Sequence, residues 1–197
     1  MPTLIVATGN PGKVREFDRF FNTLSETESR WQLQPKPADL DIEETGTTFA
    51  DNALQKARGV AVATQQWAIA DDSGLSVRAL DGAPGVYSAR YADSDPARIA
   101  RLLQELEGTT DRKAEFVCAI ALCNPGGEAI AQVDASCPGV ILQKTQGNGG
   151  FGYDPIFYVP DAQLSFAEMS IDQKQQWGHR GRALRLLSQQ LQQLDLS

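Results

Sequence analysis

The sequence predicts an α/β protein with a long mixed β-sheet flanked by helices, in a single domain that spans residues 1–197. Strand-like and helix-like segments alternate in the first half of the chain, whereas two long strand-like segments follow each other directly in the second half. Alternation is typical of parallel strands joined through helices, and adjoining strands are typical of antiparallel pairing. With 197 residues and 42% hydrophobic content, the chain is long enough for one substantial core, and two lobes are compatible with this length.

The first half of the chain begins with a short apolar strand, Leu4–Val6. Apolar residues then recur at helical spacing from Lys13 to Leu24, which predicts a helix. The proline-interrupted segment from Trp31 to Leu40 indicates an edge strand or a connection. A second helix, capped by Thr47 or Thr48, is predicted to run to about residue 63.

The second half begins with a predicted buried strand, Trp67–Ala70, that ends in a polar turn and is followed by a short strand over 75–80. A helix that opens at Asp93 or Ser94 is expected to reach about residue 106. Strand patterns over 114–123 and 129–142, joined by Asn124-Pro125-Gly126-Gly127, predict a hairpin. A strand around 155–159 and a helix-rich segment from 166 to about 194 complete the chain.

Composition narrows the function classes. A formal net charge of -7 argues against a protein that coats a nucleic-acid backbone, since such binding needs a basic surface. The sequence has neither an apolar stretch of membrane-spanning length nor a basic leader with a cleavage site, which favours a cytoplasmic protein without a membrane partner. The three cysteines lack C-x-x-C spacing, so we expect reduced, structural thiols and no zinc site.

The run after the first strand has the composition of a phosphate cradle. Thr8, Gly9, Asn10, Pro11 and Gly12 form a polar turn, and Lys13 stands where the first helix starts. Backbone N–H groups left free at such a turn, together with one ammonium group, are suited to phosphate oxygens. The run is not a Walker A motif, because it has Ala7 where that motif has Gly and Val14 where it has Ser or Thr. An ordinary strand-to-helix turn is the alternative.

Two acidic turns suggest a divalent cation. Asp71-Asp72-Ser73-Gly74 follows the predicted buried strand, at the sheet edge where open α/β folds bind ligands, and Glu43-Glu44-Thr45-Gly46 precedes a helix. Adjacent residues on a strand point in opposite directions, so at most one of the two aspartates is expected to face a site. A solvated turn and a helix-dipole partner are the alternatives. Beside a phosphate cradle, these carboxylates favour a Mg²⁺ site.

A third group of residues has the composition of a pocket for a planar ring. The loop Gly147–Asp154 holds four glycines around Phe151, which suits a backbone that approaches a ring while the phenyl group stacks on it. A tight loop with Phe151 anchored in the core is the alternative. Lys174, His179 and Arg180 are three potential cations close together in the sequence, although a lone histidine beside an arginine is usually a surface or capping residue.

These motifs, in this order and spacing, resemble the inosine triphosphate pyrophosphatase family, the pyrophosphatases of non-canonical purine nucleoside triphosphates. The resemblance extends from Thr8 almost to the end of the chain and also includes the run Gly82-Ala83-Pro84-Gly85-Val86-Tyr87-Ser88-Ala89-Arg90. It implies hydrolysis of ITP, dITP and XTP to the monophosphate and pyrophosphate with Mg²⁺. It also implies a homodimer and a long mixed sheet with two lobes around a central substrate cleft.

The resemblance also assigns roles to residues. Thr8 to Lys13 would hold the triphosphate, with Lys56 as a further phosphate contact. Asp72 would be the catalytic acceptor and a metal ligand, with Glu44 as its metal partner. Ser73 would touch the substrate, and the nucleotide and base pocket would be formed by Phe151, Gly152, Tyr153, Asp154, Lys174, His179 and Arg180. The family usually has Ser before the His-Arg pair, whereas this chain has Gly178 and therefore lacks that hydroxyl.

Two other functions remain open at this point. A Maf-like pyrophosphatase for pyrimidine or modified nucleotides resembles this fold but lacks the joint Phe-Gly-Tyr-Asp and His-Arg pattern that this chain carries. A catalytically silent nucleotide-binding module would be indicated by loss of Asp72 or Glu44, and both are present. Selection of inosine over adenine is expected from a donor facing the 6-keto oxygen, because an adenine amino group would oppose that donor.

Overall fold

A computed structural model of the protein describes residues 2–24 and 31–193. The five α-helices of this part of the chain are α1 (Pro11–Thr23), α2 (Phe49–Thr64), α3 (Asp95–Glu105), α4 (Ile171–Trp177) and α5 (His179–Gln193). The seven strands are β1 (Thr3–Val6), β2 (Gln32–Pro35), β3 (Trp67–Val77), β4 (Lys113–Cys123), β5 (Ala129–Ile141), β6 (Phe157–Val159) and β7 (Leu164–Ser165).

The strands form one mixed sheet in the order β2-β1-β3-β4-β5-β6-β7. β1 pairs in parallel with both β2 and β3, and β6 pairs antiparallel with β5 and β7. The consecutive strands β4 and β5 are neighbours, joined by a turn in which Gly127 N–H donates to the Asn124 carbonyl at 2.9 Å. The predicted α/β class with a mixed sheet is thus confirmed, and β2 is the predicted edge strand.

The chain divides into two compact units. Unit 1 comprises residues 1–72, 118–135 and 180–197, and unit 2 comprises residues 73–117 and 136–179. The strands β3, β4 and β5 each contribute residues to both units. The central substrate cleft expected from the family resemblance stays a prediction.

The core of unit 1 follows the alternation of side chains along its strands. Leu4, Val6, Ile69, Ile120 and Leu122 pack with aromatic residues of α1 and with the apolar side of α5. The intervening strand residues pack instead with α2, and they are mostly small: Ile5, Ala7, Ala68, Ala70, Ala119, Ala121 and Cys123. Because successive strand residues point to opposite faces, α1 and α5 cover one face of the sheet in this unit and α2 covers the other.

Unit 2 has its own aromatic core. Phe116, Phe157 and Phe166 are buried and contact one another, with ring centroids 4.8 to 5.5 Å apart. Leu102 of α3 and Leu106, the residue after α3, pack into the same cluster. Such aromatic pairs stabilise a core beyond the burial of their area.

Several predicted boundaries are confirmed by caps. The Thr48 hydroxyl accepts from Asp51 N–H and opens α2, and the Ser94 hydroxyl accepts from Ala97 N–H and opens α3. Helix α1 begins at Pro11, two residues before the predicted start, because proline fits the first helical position. The predicted end of the last helix, near residue 194, lies outside the described residues.

One predicted boundary is wrong. Asp71-Asp72-Ser73-Gly74 is not a turn between two strands, because β3 continues through it from Trp67 to Val77. Polar residues followed by glycine are typical of a turn, but here β3 lies between β1 and β4 in the sheet, and both carboxylates have cationic partners. The three cysteines are buried and form no disulfide, in line with the predicted structural thiols. In residues 2–24 and 31–193, the helices are all too short or too polar to cross a bilayer.

Candidate active site

Strand β3 directs two adjacent carboxylates to opposite faces of the sheet. The Asp71 side chain lies on the same face of the sheet as Ile69 and contacts side chains of α1 and α5. The Asp72 side chain lies on the same face as Ala68 and Ala70 and contacts α2. The expectation that the two side chains point in opposite directions is therefore confirmed. Each carboxylate has its own set of partners in unit 1.

Asp71 is fully buried and surrounded by cations. Its Oδ2 atom accepts from Arg180 Nε at 3.1 Å and Nη2 at 2.8 Å, and Lys13 Nζ lies 3.0 Å from the same oxygen. Arg180 is itself 1% exposed and also donates to Glu16 Oε2 at 2.5 Å. Burial alone would raise the pKa of Asp71, but Arg180, Lys13 and Lys56 hold it well below its usual range. Asp71 is thus an anion that fixes Lys13.

Asp72 is less deeply buried than Asp71 and contacts two side chains of α2. Asn52 Nδ2 donates to Asp72 Oδ2 at 3.0 Å, and Lys56 Nζ lies 3.6 Å from Asp72 Oδ1. Burial has the largest effect and raises the pKa of Asp72, the cations Lys56 and Lys13 oppose it, and the net shift is upward. A carboxylate with a raised pKa is a better proton acceptor near neutral pH than an ordinary aspartate.

Lys56 joins the two predicted metal ligands. Its Nζ atom lies 3.0 Å from Glu44 Oε1 as well as 3.6 Å from Asp72 Oδ1. Burial alone would lower the pKa of Lys56, but Asp72, Asp71 and Glu44 raise it, so the ammonium stays charged. The tertiary structure therefore brings Glu44 and Asp72, far apart in the sequence, around one positive charge.

This pair of carboxylates fits a Mg²⁺ ion bound together with substrate. The Lys56 ammonium already occupies the position of a cation between Glu44 and Asp72. Mg²⁺ commonly takes one or two protein carboxylates and completes its shell with waters and phosphate oxygens. Within residues 2–24 and 31–193, no group of three or more His, Cys, Asp or Glu side chains is arranged to hold a metal. Glu44 and Asp72 are the two carboxylates that would hold a Mg²⁺ ion.

The predicted phosphate cradle differs from expectation in its hydrogen bonds. Asn10 is the N-cap of α1, and its Oδ1 atom accepts from Gly12 N–H at 2.8 Å and Lys13 N–H at 3.3 Å. Asn10 N–H in turn donates to Thr8 Oγ1 at 3.1 Å. The expectation of free backbone N–H groups is therefore wrong for these three residues, because the Asn10 side chain accepts from Gly12 and Lys13 and the Thr8 hydroxyl accepts from Asn10.

In unit 2 the glycine-rich loop is held from inside by Asp154. Its Oδ2 atom accepts from Phe151 N–H at 2.8 Å and from Lys174 Nζ at 2.8 Å, and the side chain is buried. Gly150 has φ +75°, and a Cβ there would lie 2.0 Å from Asp154 Oδ2, so only glycine fits. Phe151 is half-buried and lies outside the core cluster, whereas Tyr153 is the loop residue anchored in it.

Two further contacts hold the outer part of this loop. Gly152 N–H donates to Asp95 Oδ2 at 2.7 Å, at the start of α3. Tyr153 OH donates to the Ser88 carbonyl at 3.0 Å, and Ser88 Oγ bonds both Leu75 N–H and the Gly85 carbonyl. The run Gly82–Arg90, noted in the sequence without a role, thus supports the loop through Ser88.

Lys174 and His179 lie on the aromatic side of unit 2. The Nζ atom of Lys174 is 4.9 Å from the centroid of Phe151 and 5.2 Å from that of Phe166. The imidazole of His179 is buried and stacks on Phe116 at 4.8 Å, with 11° between the planes. The structure thus brings Phe151, Tyr153, Asp154, Lys174 and His179 into one unit.

Arg180 belongs to a different group from its neighbour His179. Arg180 is counted with unit 1, and its described partners are the carboxylates of Asp71 and Glu16. Thr8 to Lys13, Glu44, Lys56 and Asp72 are in unit 1 as well, whereas Ser73 is in unit 2. The base-binding role assigned to Arg180 stays a prediction.

Sequence reasoning missed several residues that hold these groups: Glu16, Asn52, Asp71, Ser88 and Asp95. A signal was available for Asn52, because it stands one helical turn before Lys56 and so shares its face. Glu16 likewise stands three residues after Lys13, which places two charged groups on one face of α1. Asp95 had no comparable signal, since an acidic residue in the first turn of a helix is ordinarily explained by the helix dipole.

Comparison with known proteins identifies the family. The Ham1 family model matches residues 4–190. A dITP/XTP pyrophosphatase of Synechococcus sp. (strain CC9311) is 54% identical over 191 residues, which are 97% of this chain and 90% of that protein. The dITP/XTP pyrophosphatase of Synechocystis sp. (strain ATCC 27184 / PCC 6803 / Kazusa) is 50% identical over 96% of this chain and 95% of its own length.

Solved structures agree with this result. A HAM1 protein from Coxiella burnetii superposes with a TM-score of 0.86 at 40% identity, covering 98% of this chain and all of that one. The Staphylococcus aureus Ham1 protein has a TM-score of 0.83 at 41% identity and covers 96% of this chain and 98% of that one. The chain therefore belongs to the Ham1 family. The resemblance found in the sequence motifs is confirmed.

Proposed function

We propose that the protein catalyses Mg²⁺-dependent hydrolysis of ITP, dITP and XTP to the nucleoside monophosphate and pyrophosphate, and so removes non-canonical purines from the nucleotide pool. The observation that carries this proposal is the Lys56 ammonium between Glu44 and Asp72, at 3.0 and 3.6 Å. Two carboxylates around a cation, with Lys13 in the same unit, are suited to a nucleotide polyphosphate and its metal. The names of the curated relatives support dITP and XTP as substrates.

The predicted class of enzyme is confirmed by those relatives. Proteins that cover nearly the whole chain at 50% identity or more are named dITP/XTP pyrophosphatases. The protein is accordingly a hydrolase of nucleoside triphosphates that releases pyrophosphate. The metal, the preference among substrates and the residue roles below belong to the proposal.

Binding of the triphosphate is assigned to the turn Thr8–Gly12 and to Lys13, with Lys56 as a second cation. Lys13 Nζ is held 3.0 Å from the buried Asp71, so its position is fixed before substrate arrives. A preorganised ammonium stabilises the charge that develops on departing pyrophosphate without reorganisation during the reaction. Asp71 and Arg180 do not contact the phosphate in this proposal. They contribute to its binding because they hold the Lys13 ammonium in place.

Asp72 and Glu44 would hold the metal ion, which when bound would neutralise phosphate oxygens and act as a Lewis acid. The family resemblance also assigns to Asp72 the role of acceptor for the proton of the water that attacks the α-phosphorus. The new bond joins the water oxygen to the α-phosphorus, and the bond from this phosphorus to the bridging oxygen breaks. Pyrophosphate leaves with the electrons of that bond.

Recognition of the base is assigned to the residues of unit 2, with Ser73 as a further substrate contact. The half-buried ring of Phe151 offers a stacking surface, and Gly152, Tyr153 and Asp154 fix its loop. Lys174 supplies a donor beside that ring, His179 supplies one where it stacks on Phe116, and the resemblance adds Arg180. A donor aimed at a 6-keto oxygen disfavours adenine by about 1–3 kcal/mol for each buried mismatch.

The proposal is tested by pyrophosphate release from ITP, XTP, dITP, GTP, ATP and UTP, with Mg²⁺ and with a chelator. We expect metal-dependent release that favours ITP, dITP and XTP. Asp72→Asn should abolish most of this turnover in a folded protein, whereas Asp39→Asn, an exposed substitution of the same kind, should not. Release from UTP alone would favour the pyrimidine enzyme, and a protein that binds nucleotides without any release would be a binding module.

A homodimer is part of the same proposal and comes from the family resemblance. Sedimentation equilibrium should give twice the mass of the 197-residue chain at micromolar concentration. A mass of one chain across the concentrations used in the activity assay would contradict the dimer without affecting the proposed reaction.

A further inference from the structure

One face of α2 contacts three consecutive residues of the acidic turn. Asn52 Oδ1 accepts from Gly46 N–H at 2.8 Å, and Lys56 Nζ donates to Glu44 Oε1 at 3.0 Å. Between them, Gln55 accepts from Thr45 N–H at 3.0 Å and donates to Thr45 Oγ1 at 3.1 Å. Residues 52, 55 and 56 follow the i, i+3, i+4 spacing of one helix face.

Asn52 is the member of this face whose contacts are fully enclosed. Its side chain is 0% exposed, and its two polar atoms bond in different directions. Oδ1 bonds the acidic turn through Gly46, whereas Nδ2 donates to Asp72 Oδ2 at 3.0 Å. A single rigid amide therefore links the turn that carries Glu44 to the carboxylate on β3.

Glycine at position 46 makes this approach possible. A Cβ on Gly46 would lie 2.6 Å from Asp51 Cβ and 2.7 Å from Asn52 Oδ1. Both distances are shorter than real carbon contacts, so a side chain would push the turn away from α2. The turn is thus built to lie against the helix, with Asn52 as its contact.

We propose that Asn52 is a positioning residue for the reaction: it fixes the orientation of Asp72 and its distance from Glu44, while Gln55 supports the same turn. This inference rests on the proposed function, since it assigns those two carboxylates to the chemistry. The amide is suited to this task because only its Nδ2 end can donate to Asp72 and only its Oδ1 end can accept from Gly46.

Two substitutions separate the two bonds of Asn52. Asn52→Ala removes both of them. Asn52→Asp keeps an oxygen for Gly46 N–H but places a second carboxylate against Asp72 and removes its donor. Asn22→Asp introduces the same change at an exposed site of α1 in the same unit and serves as the control.

The first readout is steady-state ITP hydrolysis at saturating Mg²⁺. We expect kcat to fall about tenfold or more in both Asn52 variants, because each removes a hydrogen bond to a charged group. KM for ITP should stay within about threefold, because the positioned carboxylate acts on the chemical step. Gln55→Ala should lower kcat only a few-fold, and Asn22→Asp should match the wild type.

The second readout needs no catalysis. Amide hydrogen exchange at Gly46 should be fast in Asn52→Ala but slow in Asn52→Asp, Gln55→Ala and the wild type, because only the alanine variant lacks an acceptor. Loss of turnover in both Asn52 variants, with exposure of Gly46 in one of them, would establish the positioning role. A residue with only a structural role would move turnover and exchange together.

Wild-type kcat in both Asn52 variants, or unchanged Gly46 exchange in Asn52→Ala, would overturn the inference. Absence of hydrolysis by the wild-type protein on every nucleotide would instead overturn the proposed function. The exchange pattern alone would then decide whether Asn52 holds the acidic turn.

Discussion

Arg180 donates from Nε and Nη2 to the same oxygen of Asp71, at 3.1 and 2.8 Å, and both side chains are buried. These residues are 109 positions apart in the sequence. The pair joins the first turn of α5 to β3, and Arg180 also bonds Glu16 on α1. Arg180 therefore connects α5, β3 and α1. Because these charged groups are buried, removal of any one of them leaves an uncompensated charge and destabilises the protein.

Removal of Arg180 is expected to destabilise the protein strongly. Arg180→Ala leaves the buried carboxylates of Asp71 and Glu16 without their shared cation, a change that typically costs about 3–5 kcal/mol. The free energy of unfolding from urea titration at neutral pH measures this effect. The control is Arg15→Ala, a substitution at an exposed position of α1 that should leave the unfolding midpoint nearly unchanged. Equal midpoints for the two variants would contradict this account of the buried pair.

Removal of Lys13 is expected to act mainly on catalysis. Its side chain is 13% exposed, and Asp71 keeps the partner Arg180 when Lys13 is absent, so the fold should be retained. Under the proposed function, Lys13→Ala should lower kcat/KM for ITP roughly 100-fold, with effects on both kcat and KM. The exposed Lys113→Ala on β4 is the matched control. A Lys13→Ala enzyme with wild-type constants would move the phosphate site elsewhere.

Restoring the family's serine before the His-Arg pair is expected to lower stability in this chain. A Cβ on Gly178 would lie 2.6 Å from the Lys174 carbonyl oxygen, which already accepts from Gly178 N–H at 2.8 Å. Gly178→Ser should cost about 1–3 kcal/mol of unfolding free energy, the usual range for overpacking. Gly126→Ser places the same side chain in an exposed turn and should cost less. A serine variant as stable as the wild type would show that the last turn of α4 adjusts freely.

The cysteine thiols are expected to be inert while the protein is folded. Cys118, Cys123 and Cys137 are each 0% exposed, and burial raises the pKa of Cys118, with Asp71 nearby adding to the shift. Because the thiolate is the reactive form, alkylation by iodoacetamide at neutral pH should proceed only at the rate of unfolding. Mass spectrometry with and without urea measures this protection. Rapid labelling of native protein at Cys118 would refute it.

The local features of the fold were readable from the sequence because their causes lie within a few residues. Thr48 and Ser94 cap their helices by bonds to N–H groups three residues later, and Pro11 opens α1 with its fixed φ. The predicted turn at 71–74 failed for the opposite reason. Its extended backbone belongs to an interior strand of the sheet, and its carboxylates contact the distant Lys13, Lys56 and Arg180, which no local pattern contains.

The free N–H groups predicted at the start of α1 show a second limit. The sequence contains the glycines and the lysine of a phosphate cradle, but it also contains Asn10, which caps the same helix. Composition alone cannot tell whether a donor faces a ligand or a neighbouring side chain, because the two arrangements use the same residues. The geometry of Asn10 decides this for Gly12 and Lys13.

By itself the sequence determined the α/β class, the helix starts, the reduced thiols and the family, since periodicity, caps and motif order are properties of the chain. The tertiary structure alone decided that Asp71 meets Lys13 and Arg180 on one face of the sheet while Asp72 meets Asn52 and Lys56 on the other. Strand alternation predicts opposite directions for the two carboxylates. Which helix packs on each face of the sheet depends on how the whole unit is assembled. Charged residues far apart in the chain become partners only when the sheet and its helices are in place.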